Sequence, residues 1–255
     1  MALTGRPALI AAAVFAALAA VASRADADGL LARADRAAYE KVRASRREPA
    51  VAAARRVSAL AEPTVIYPVV AAVGLLARGD TPWRRASTAC LVVAAGAATR
   101  RQLSRLIARP RPPAQAWLIA PEGYSLPSKH TTVAVLAAGV SVHSLGVTGA
   151  PAQAVRLLTA AAIGTSRVCL GVHWPADVIS GWLFAEGWLR LTGWAGSPAP
   201  SRVTSAVKGR RAARQRAWIC VVAARRRAGQ RVLSANAAGT GSVRPGACVG
   251  CPHGA

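Results

Sequence analysis

Residues 166–177, SRVCLGVHWPAD, contain three side chains whose types and spacing suit phosphate chemistry. His173 and Asp177 are four residues apart, and Pro175 between them favours the first turn of a helix, so the carboxylate can turn back toward the imidazole. A carboxylate that holds one ring nitrogen fixes the tautomer and leaves the other nitrogen nucleophilic. Arg167 adds a permanent positive charge in a fork that fits phosphate oxygens.

The same residues also have a purely structural interpretation. Arg167 could anchor a helix at an interface, Asp177 could be an ordinary acid of a first helical turn, and His173 could be a loop residue. Two further segments favour the chemical interpretation. They are residues 124–132, YSLPSKHTT, and residues 103–113, LSRLIARPRPP.

Together the three segments resemble the signature of the type 2 phosphatidic acid phosphatase superfamily, which includes lipid phosphate phosphatases, bacterial acid phosphatases and vanadium haloperoxidases. That signature is a lysine, six residues and Arg-Pro; then Pro-Ser-Gly-His; then Ser-Arg, five residues, His, three residues and Asp. The third part matches without a gap at Ser166, Arg167, His173 and Asp177. The second part matches at Pro127, Ser128 and His130, and the first part matches at Arg111 and Pro112.

The resemblance has two departures. Lys129 stands where the family has glycine, and Ser104 stands seven positions before Arg111, where the family has lysine. Loss of one cation on the phosphate typically lowers the rate about 100- to 1,000-fold. We hypothesise that Lys129 compensates, with Arg101 and Arg105 as other candidates, whereas the alternative is a catalytically weakened relative. A second alignment of the first part, on Arg109-Pro110, fits the spacing less well, so Arg109 is expected to anchor the loop.

The resemblance implies hydrolysis of a phosphate ester through a phosphohistidine, without a metal or another cofactor. It implies that His173 attacks phosphorus, that Asp177 stabilises the charged ring, and that His130 protonates the departing oxygen. The phosphate-binding residues are predicted to be Arg111, Arg167, Ser128 and Lys129. Ser128 is predicted to begin a helix, whose N-terminus attracts anions.

The composition favours a membrane protein with basic ends over a soluble enzyme. Hydrophobic residues make up 53% of the 255 residues, and 33 Lys and Arg face 10 Asp and Glu, for a net charge of +23. Apolar stretches lie at 7–22, 64–77, 86–98, 131–145, 152–165 and 176–191. Several are shorter than the roughly 20 residues that cross a bilayer, so flanking residues must contribute.

We therefore expect an all-α integral membrane bundle of about six transmembrane helices within residues 1–196. The six helices follow from the family resemblance, which favours a retained helix at 7–22 over a cleaved secretory signal. Residues 27–62 carry apolar side chains at helical spacing, which predicts an amphipathic helix on the membrane surface or over the bundle. If 7–22 is retained, each of the three motifs follows an odd number of crossings, which places them on one side, and the resemblance makes that side the outer face of the cell membrane.

Residues 197–255 are predicted to be a disordered basic tail, solvated and without a function of its own. The alternative is that its arginines bind anionic lipid headgroups, in preference to nucleic acid. The five cysteines form no recognisable disulfide framework, and Cys248, Cys251 and His253 lack the fourth ligand of a closed zinc site. His143, inside an apolar stretch and outside the motifs, is expected to be structural.

The predicted function is a membrane phosphatase that hydrolyses a lipid phosphate or diphosphate, of the phosphatidic acid or polyprenyl type. Two alternatives remain open. One is a weakened or inactive relative that binds phospholipid or a partner, and the other is a vanadate-binding haloperoxidase.

Overall fold

The computed structural model describes residues 29–77 and 81–195, together with the isolated positions 13 and 16. Within them the chain forms seven α-helices and one short 3-10 helix, without a strand. The all-α prediction is therefore confirmed for this part of the chain. The predictions for residues 7–22, for the tail after residue 196 and for Cys248, Cys251 and His253 lie outside the described residues. The helices are α1 Leu30–Ala44, α2 Glu48–Ala59, α3 Pro63–Leu76, α4 Pro82–Ile107, α5 Lys129–Ser144, α6 Gly149–Cys169 and α7 Pro175–Leu191.

The described helices α3 to α7 coincide with the five apolar stretches predicted between residues 64 and 191. Two of them are longer than hydropathy predicts: α4 continues nine residues past position 98, and α6 continues four residues past position 165. Arginine, glutamine and leucine are good helix formers, so these polar extensions remain helical where the apolar run has ended. The extensions carry the first and third motifs away from the apolar parts of the helices and toward the site.

The predicted amphipathic segment 27–62 is helical, and it forms two helices, α1 and α2, with a break at residues 45–47. A proline in the first turn of a helix is tolerated, whereas one in the interior breaks it, and Pro49 lies at the second position of α2. Helix α1 buries Asp35 and Tyr39, and α2 buries Ala54 and Ser58. Both helices pack on α6, so the segment covers the bundle with its buried face.

Helix α5 lies at the centre of the bundle and contacts α3, α4, α6 and α7. Its side chains are buried on nearly every face, with Val135, Leu136 and Val140 fully inaccessible. Small residues allow close approach of neighbouring helices, as the sequence predicts: a Cβ on Gly139 would lie 2.3 Å from a methyl of Leu189. The site residues at the beginning of α5 are therefore attached to the most constrained element of the fold.

Among the described residues, none of the individual helices combines the length and apolarity that a bilayer span requires. Helices α2 and α3 satisfy the requirement only together, with a bend of 54° at the break between them. The number of transmembrane helices stays a prediction.

The chain reverses at Gly171, between the end of α6 and the loop that carries His173. Gly171 has a φ of +83°, and a Cβ at this position would lie 2.2 Å from the carbonyl oxygen of Ala116. Both the left-handed backbone and the close approach require glycine. Gly146 also has a positive φ, +75°, but a Cβ there would have no neighbour within 4 Å.

We expect Gly171→Ala to destabilise the protein more than Gly146→Ala. The Gly146 variant carries only the left-handed backbone cost of about 1–2 kcal/mol, whereas the Gly171 variant must also displace the 114–116 turn. Thermal unfolding of the two variants in the same detergent measures the difference. Equal midpoints would contradict the close contact at Gly171.

Candidate active site

His173 lies in the loop between α6 and α7, and Asp177 lies in the first turn of α7. His173 Nδ1 is 3.3 Å from Asp177 Oδ2, and the two side chains are 1% and 0% exposed. Pro175 is the first residue of α7, so the turn that brings the carboxylate back to the ring begins where the sequence predicts it. The contact leaves Nε2 of His173 as the ring nitrogen that faces other groups.

Three other groups hold the Asp177 carboxylate in place, and a fourth holds its backbone. Arg109 Nη1 lies 2.5 Å from Oδ1, and the Trp174 amide donates to Oδ2 over 2.8 Å. The Ser125 hydroxyl also donates to Oδ2, and the Ser128 amide donates to the Asp177 carbonyl oxygen over 3.0 Å. The carboxylate is thus oriented before any substrate arrives.

Arg109 joins two buried carboxylates. Its Nη2 lies 2.6 Å from Asp35 Oδ2, while its Nη1 binds Asp177. Asp35 Oδ1 in turn accepts the Ala176 amide over 2.8 Å, at the beginning of α7. Arg109 therefore anchors its loop, as expected, but it does so through the catalytic candidate Asp177 and through helix α1.

Arg111 reaches the other nitrogen of the histidine. Its Nη1 lies 3.2 Å from His173 Nε2 and donates to the Val172 carbonyl over 2.6 Å. The remaining donors bind carbonyl oxygens of residues 122–124 at 2.7–3.0 Å. Burial lowers the pKa of Arg111, and the charge of Asp177 opposes that shift. No carboxylate contacts this guanidinium among the described residues, so its charge is available to an anion.

His130 is the second residue of α5 and is paired with Glu62. The His130 Nε2 and Glu62 Oε1 atoms are 2.8 Å apart, and the Glu62 side chain is 46% exposed. Sequence reasoning missed Glu62, which precedes α3 and is 68 residues from His130. No local spacing rule relates them, and only the packing of α3 against α5 brings them together.

Arg167 occupies the last turn of α6 with 4% exposure. Its Nη1 donates to the Ser58 hydroxyl over 2.7 Å, and its buried Nε has no hydrogen-bond partner among the described residues. A buried cation without a carboxylate is costly unless an anion binds it. This arrangement fits the prediction that Arg167 binds phosphate.

Ser128 and Lys129 take different positions. Ser128 precedes the first residue of α5, as predicted for a cap, but its hydroxyl is buried and accepts the Thr131 hydroxyl over 3.1 Å. The Lys129 side chain is 36% exposed, and its Nζ atom lies 3.7 Å from Glu122 Oε2. The predicted phosphate contact of Ser128 stays a prediction, since its side chain does not line the cavity described next.

A cavity of about 350 Å³ brings the predicted residues together, and we call it the histidine cavity. Most of the predicted set lines it, and Asp177 lies behind His173. Arg55, Ser58 and Glu62 add polar groups that the motifs do not contain. The predicted residues that line it are Arg111, Lys129, His130, Arg167 and His173.

Arg100 is a cation near the position of the missing lysine, and sequence reasoning did not identify it. Ser104 is 4% exposed, and Arg100, one helical turn earlier on the same face of α4, is 8% exposed. Arg100 Nη1 donates to the Pro127 carbonyl over 3.0 Å, within the second motif. Arg101 and Arg105, the candidates named above, line a separate cavity with Arg100 and Lys129. The spacing of four residues places positions 100 and 104 on one helical face, and this spacing could have identified Arg100 from the sequence.

His143 is at the opposite end of α5 from His130 and packs against Trp194, with ring centroids 4.9 Å apart. The 13 residues that separate the two histidines correspond to about 20 Å of helix. The position of His143 agrees with the structural role expected for it.

A helical bundle that gathers two histidines, an aspartate and several arginines without carboxylate partners has the groups needed for phosphoryl transfer. Residues 85–197 match the family model of the PAP2 superfamily. The resemblance to the PAP2 superfamily is therefore confirmed over residues 85–197.

Among solved structures, the chain is similar to a transmembrane PAP2 type phosphatidylglycerolphosphate phosphatase from Bacillus subtilis. The TM-score is 0.59 and the identity 22%, over 73% of this chain and 94% of that chain, which supports the fold. The comparison with curated proteins finds no match.

The buried state of His173 predicts a specific pH dependence of stability. Burial lowers its pKa to about 4, helped by the charges of Arg111 and Arg167 and opposed by Asp177. In the unfolded chain the pKa is about 6.5. As the pH falls from about 6.5 to about 4, only the unfolded chain binds this proton, so the folded state loses stability over that window.

Urea unfolding at a series of pH values, with His173→Asn as the comparison, measures this contribution. The other histidines titrate in both proteins, so we expect the wild type to lose more stability between pH 6.5 and 4 than the variant. The same pH dependence in both would show that His173 is not held neutral by the fold.

Removal of the Arg109 charge is expected to be far more costly than removal of a surface charge. Arg109→Gln leaves Asp35 and Asp177 buried without a cation, which typically costs about 3–5 kcal/mol. Arg43→Gln breaks the exposed pair with Glu40 and should cost less than about 1 kcal/mol. The free energies of unfolding of both variants measure the contrast. Should Arg109→Gln fail to fold, Asp35→Asn tests the same network, and a cost no greater than that of Arg43→Gln would refute it.

Proposed function

We propose that the protein is a membrane phosphatase that hydrolyses a lipid phosphate through a phosphohistidine at His173. The observation that carries this proposal is the position of the imidazole. Its Nδ1 lies against the Asp177 carboxylate, and its Nε2 lies 3.2 Å from Arg111 in a cavity also lined by Arg167 and His130.

The first step is the attack of His173 Nε2 on phosphorus. Asp177 holds the ring in the required tautomer and stabilises the positive charge that the ring acquires when the N–P bond forms. Burial keeps the imidazole neutral at physiological pH, so the nitrogen lone pair is available. The electron pair of the broken P–O bond goes to the lipid oxygen.

His130 is the acid that donates a proton to that oxygen. Burial and the charge of Arg167 lower the pKa of His130, and Glu62, 2.8 Å from its Nε2, opposes that shift. The negative charge of a bound phosphate acts in the same direction as Glu62 and favours the protonated ring that the acid role requires. After the lipid leaves, the neutral His130 can accept a proton from the water that attacks the phosphohistidine. Phosphate is released and both histidines return to their initial states.

The arginines neutralise the charge of the phosphoryl oxygens. Arg111 and Arg167 line the histidine cavity without a carboxylate partner among the described residues, and Lys129 lies at its edge. Arg100 brings a further buried positive charge toward the second motif, close to where Ser104 replaces the lysine of the family. Arg111, Arg167 and Lys129, which line the histidine cavity, supply the electrostatic stabilisation that the transition state needs.

Exposed apolar side chains support a membrane location. Leu76 of α3 is 84% exposed, Leu91 and Leu106 of α4 are 65% and 81% exposed, Leu158 of α6 is 68% exposed and Leu191 of α7 is 67% exposed. Large apolar surfaces on several helices typically contact lipid or another protein. The solved relative is described as a transmembrane phosphatidylglycerolphosphate phosphatase, which also favours a lipid phosphate substrate. We place the site at the outer face of the cell membrane, as the family resemblance implies.

Phosphate release from a panel of lipid phosphates by the detergent-purified protein tests this function. We expect release that persists in EDTA and that falls roughly 10⁴-fold or more in His173→Ala, because the nucleophile is lost. Brief reaction with a ³²P-labelled substrate should label the wild type through an acid-labile bond at His173.

The matched control is His143→Ala, which removes the histidine at the opposite end of α5 and should keep its activity. The competing function is a weakened or inactive relative that binds phospholipid or a partner, and Ser104 is the observation that favours it. Absence of release and of ³²P label in folded wild-type protein would sink the phosphatase proposal and support that alternative.

A further inference from the structure

A second and larger cavity, of about 650 Å³, lies beside the histidine cavity. We call it the arginine cavity because Arg100, Arg101 and Arg105 of α4 line it. The two cavities share Lys129 and Glu122 as lining residues, and these side chains form an ion pair of 3.7 Å. A molecule that occupies both cavities would therefore contact Lys129 between them.

The charge of the arginine cavity is unbalanced. Arg101 and Arg105 are four residues apart, a spacing at which like charges destabilise a helix by about 0.2–0.5 kcal/mol. No ion pair of the described residues includes Arg100, Arg101 or Arg105. Glu122 is the acid that lines this cavity, and it is already paired with Lys129. The cavity therefore offers a positive surface to an anion.

The lining of the arginine cavity is also partly apolar. Pro63 and Tyr67 of α3, Ala97 of α4 and Val133 of α5 line the same cavity. A small hydrophilic anion would gain nothing from contact with these apolar residues. A phosphoryl group attached to a hydrocarbon chain can contact the arginines with its oxygens and the apolar residues with its chain.

We propose that the arginine cavity is a second anion subsite, which binds the phosphoryl group next to the one that is hydrolysed. This inference rests on the proposed function and makes its substrate class narrower: a lipid that carries two phosphoryl groups. The outer phosphoryl group lies in the histidine cavity against His173, and the inner group, attached to the lipid, lies against Arg101 and Arg105. The inner group is either the second phosphate of a diphosphate or a phosphodiester.

Hydrolysis of a diphosphate begins with attack by His173. His173 Nε2 forms a bond to the outer phosphorus, and the bridging P–O bond breaks with its electron pair on the inner phosphate. The lipid monophosphate leaves as an anion, and the arginines stabilise the charge that develops on it. Water then attacks the phosphohistidine and releases inorganic phosphate.

The experiment compares farnesyl monophosphate with farnesyl diphosphate, and dioleoyl phosphatidic acid with phosphatidylglycerol phosphate. The variant is Arg101→Gln/Arg105→Gln in the full chain. Loss of charge-assisted hydrogen bonds typically lowers affinity about tenfold or more. We expect kcat/KM for at least one of the two-phosphoryl substrates to fall about tenfold more than kcat/KM for its one-phosphate partner. Arg84→Gln, which removes an exposed arginine from the other end of α4, should change both substrates of each pair equally.

The outcomes distinguish the sources of the second anion. A selective loss for farnesyl diphosphate assigns the subsite to diphosphates, and a selective loss for phosphatidylglycerol phosphate assigns it to a phosphodiester. Equal losses for one- and two-phosphoryl substrates, or no loss for either, overturn the subsite while the proposed phosphatase function stands.

A binding measurement tests the subsite without turnover. We expect farnesyl methylenediphosphonate to raise the unfolding midpoint of the His173→Ala protein more than farnesyl phosphonate does, and the additional Arg101→Gln/Arg105→Gln changes to abolish the difference. If the wild type hydrolyses no lipid phosphate, the proposed function fails, and this comparison still decides the subsite. Equal stabilisation by the two ligands would overturn it.

Discussion

The geometry of the site depends on the buried ion pairs of Arg109. This side chain binds Asp177 on one side and Asp35 on the other, and all three are nearly inaccessible to water. A buried carboxylate without a cation is strongly unfavourable, so the first motif, helix α1 and the beginning of α7 must stay together. This arrangement also sets the orientation of the nucleophile candidate His173, because Asp177 is the carboxylate that contacts it within residues 29–77 and 81–195. The residue that fixes the histidine is therefore in a different motif from the histidine itself.

The arginines that line the histidine cavity have different partners from those of Arg109. Arg109 is fully neutralised by carboxylates, whereas Arg111 and Arg167 bind carbonyl or hydroxyl oxygens, which carry no charge. Partial dipoles satisfy the hydrogen-bond donors of a guanidinium without cancelling its charge. One arginine thus stabilises the folded protein and the other two keep their charge for a ligand. The carboxylates that line the histidine cavity among the described residues are Glu62 and Glu122, and they are paired with His130 and Lys129.

Much of this arrangement is predictable from sequence, because the relevant distances are local. His173 and Asp177 meet within one helical turn, and Pro175 marks where that turn begins. The helix count between residues 64 and 191 follows from apolar runs, while the extensions of α4 and α6 do not, since arginine-rich helical turns are not apolar. Contacts such as that of Glu62 with His130 join positions 68 residues apart, and no period or motif encodes them.

The departure at Ser104 has a physical explanation that the motif alone does not provide. In a helix, a residue four positions earlier lies on the same face, so Arg100 places a positive charge on the face of α4 that Ser104 occupies. Its contact with the Pro127 carbonyl shows that the guanidinium extends to the second motif. The family pattern counts residue types at fixed positions, whereas the phosphate responds only to the positions of charges. A chain can therefore lose a motif lysine and keep a positive charge near the same place, provided that the helix continues far enough to carry both residues. Helix α4 does so, because it extends from Pro82 to Ile107 as one element.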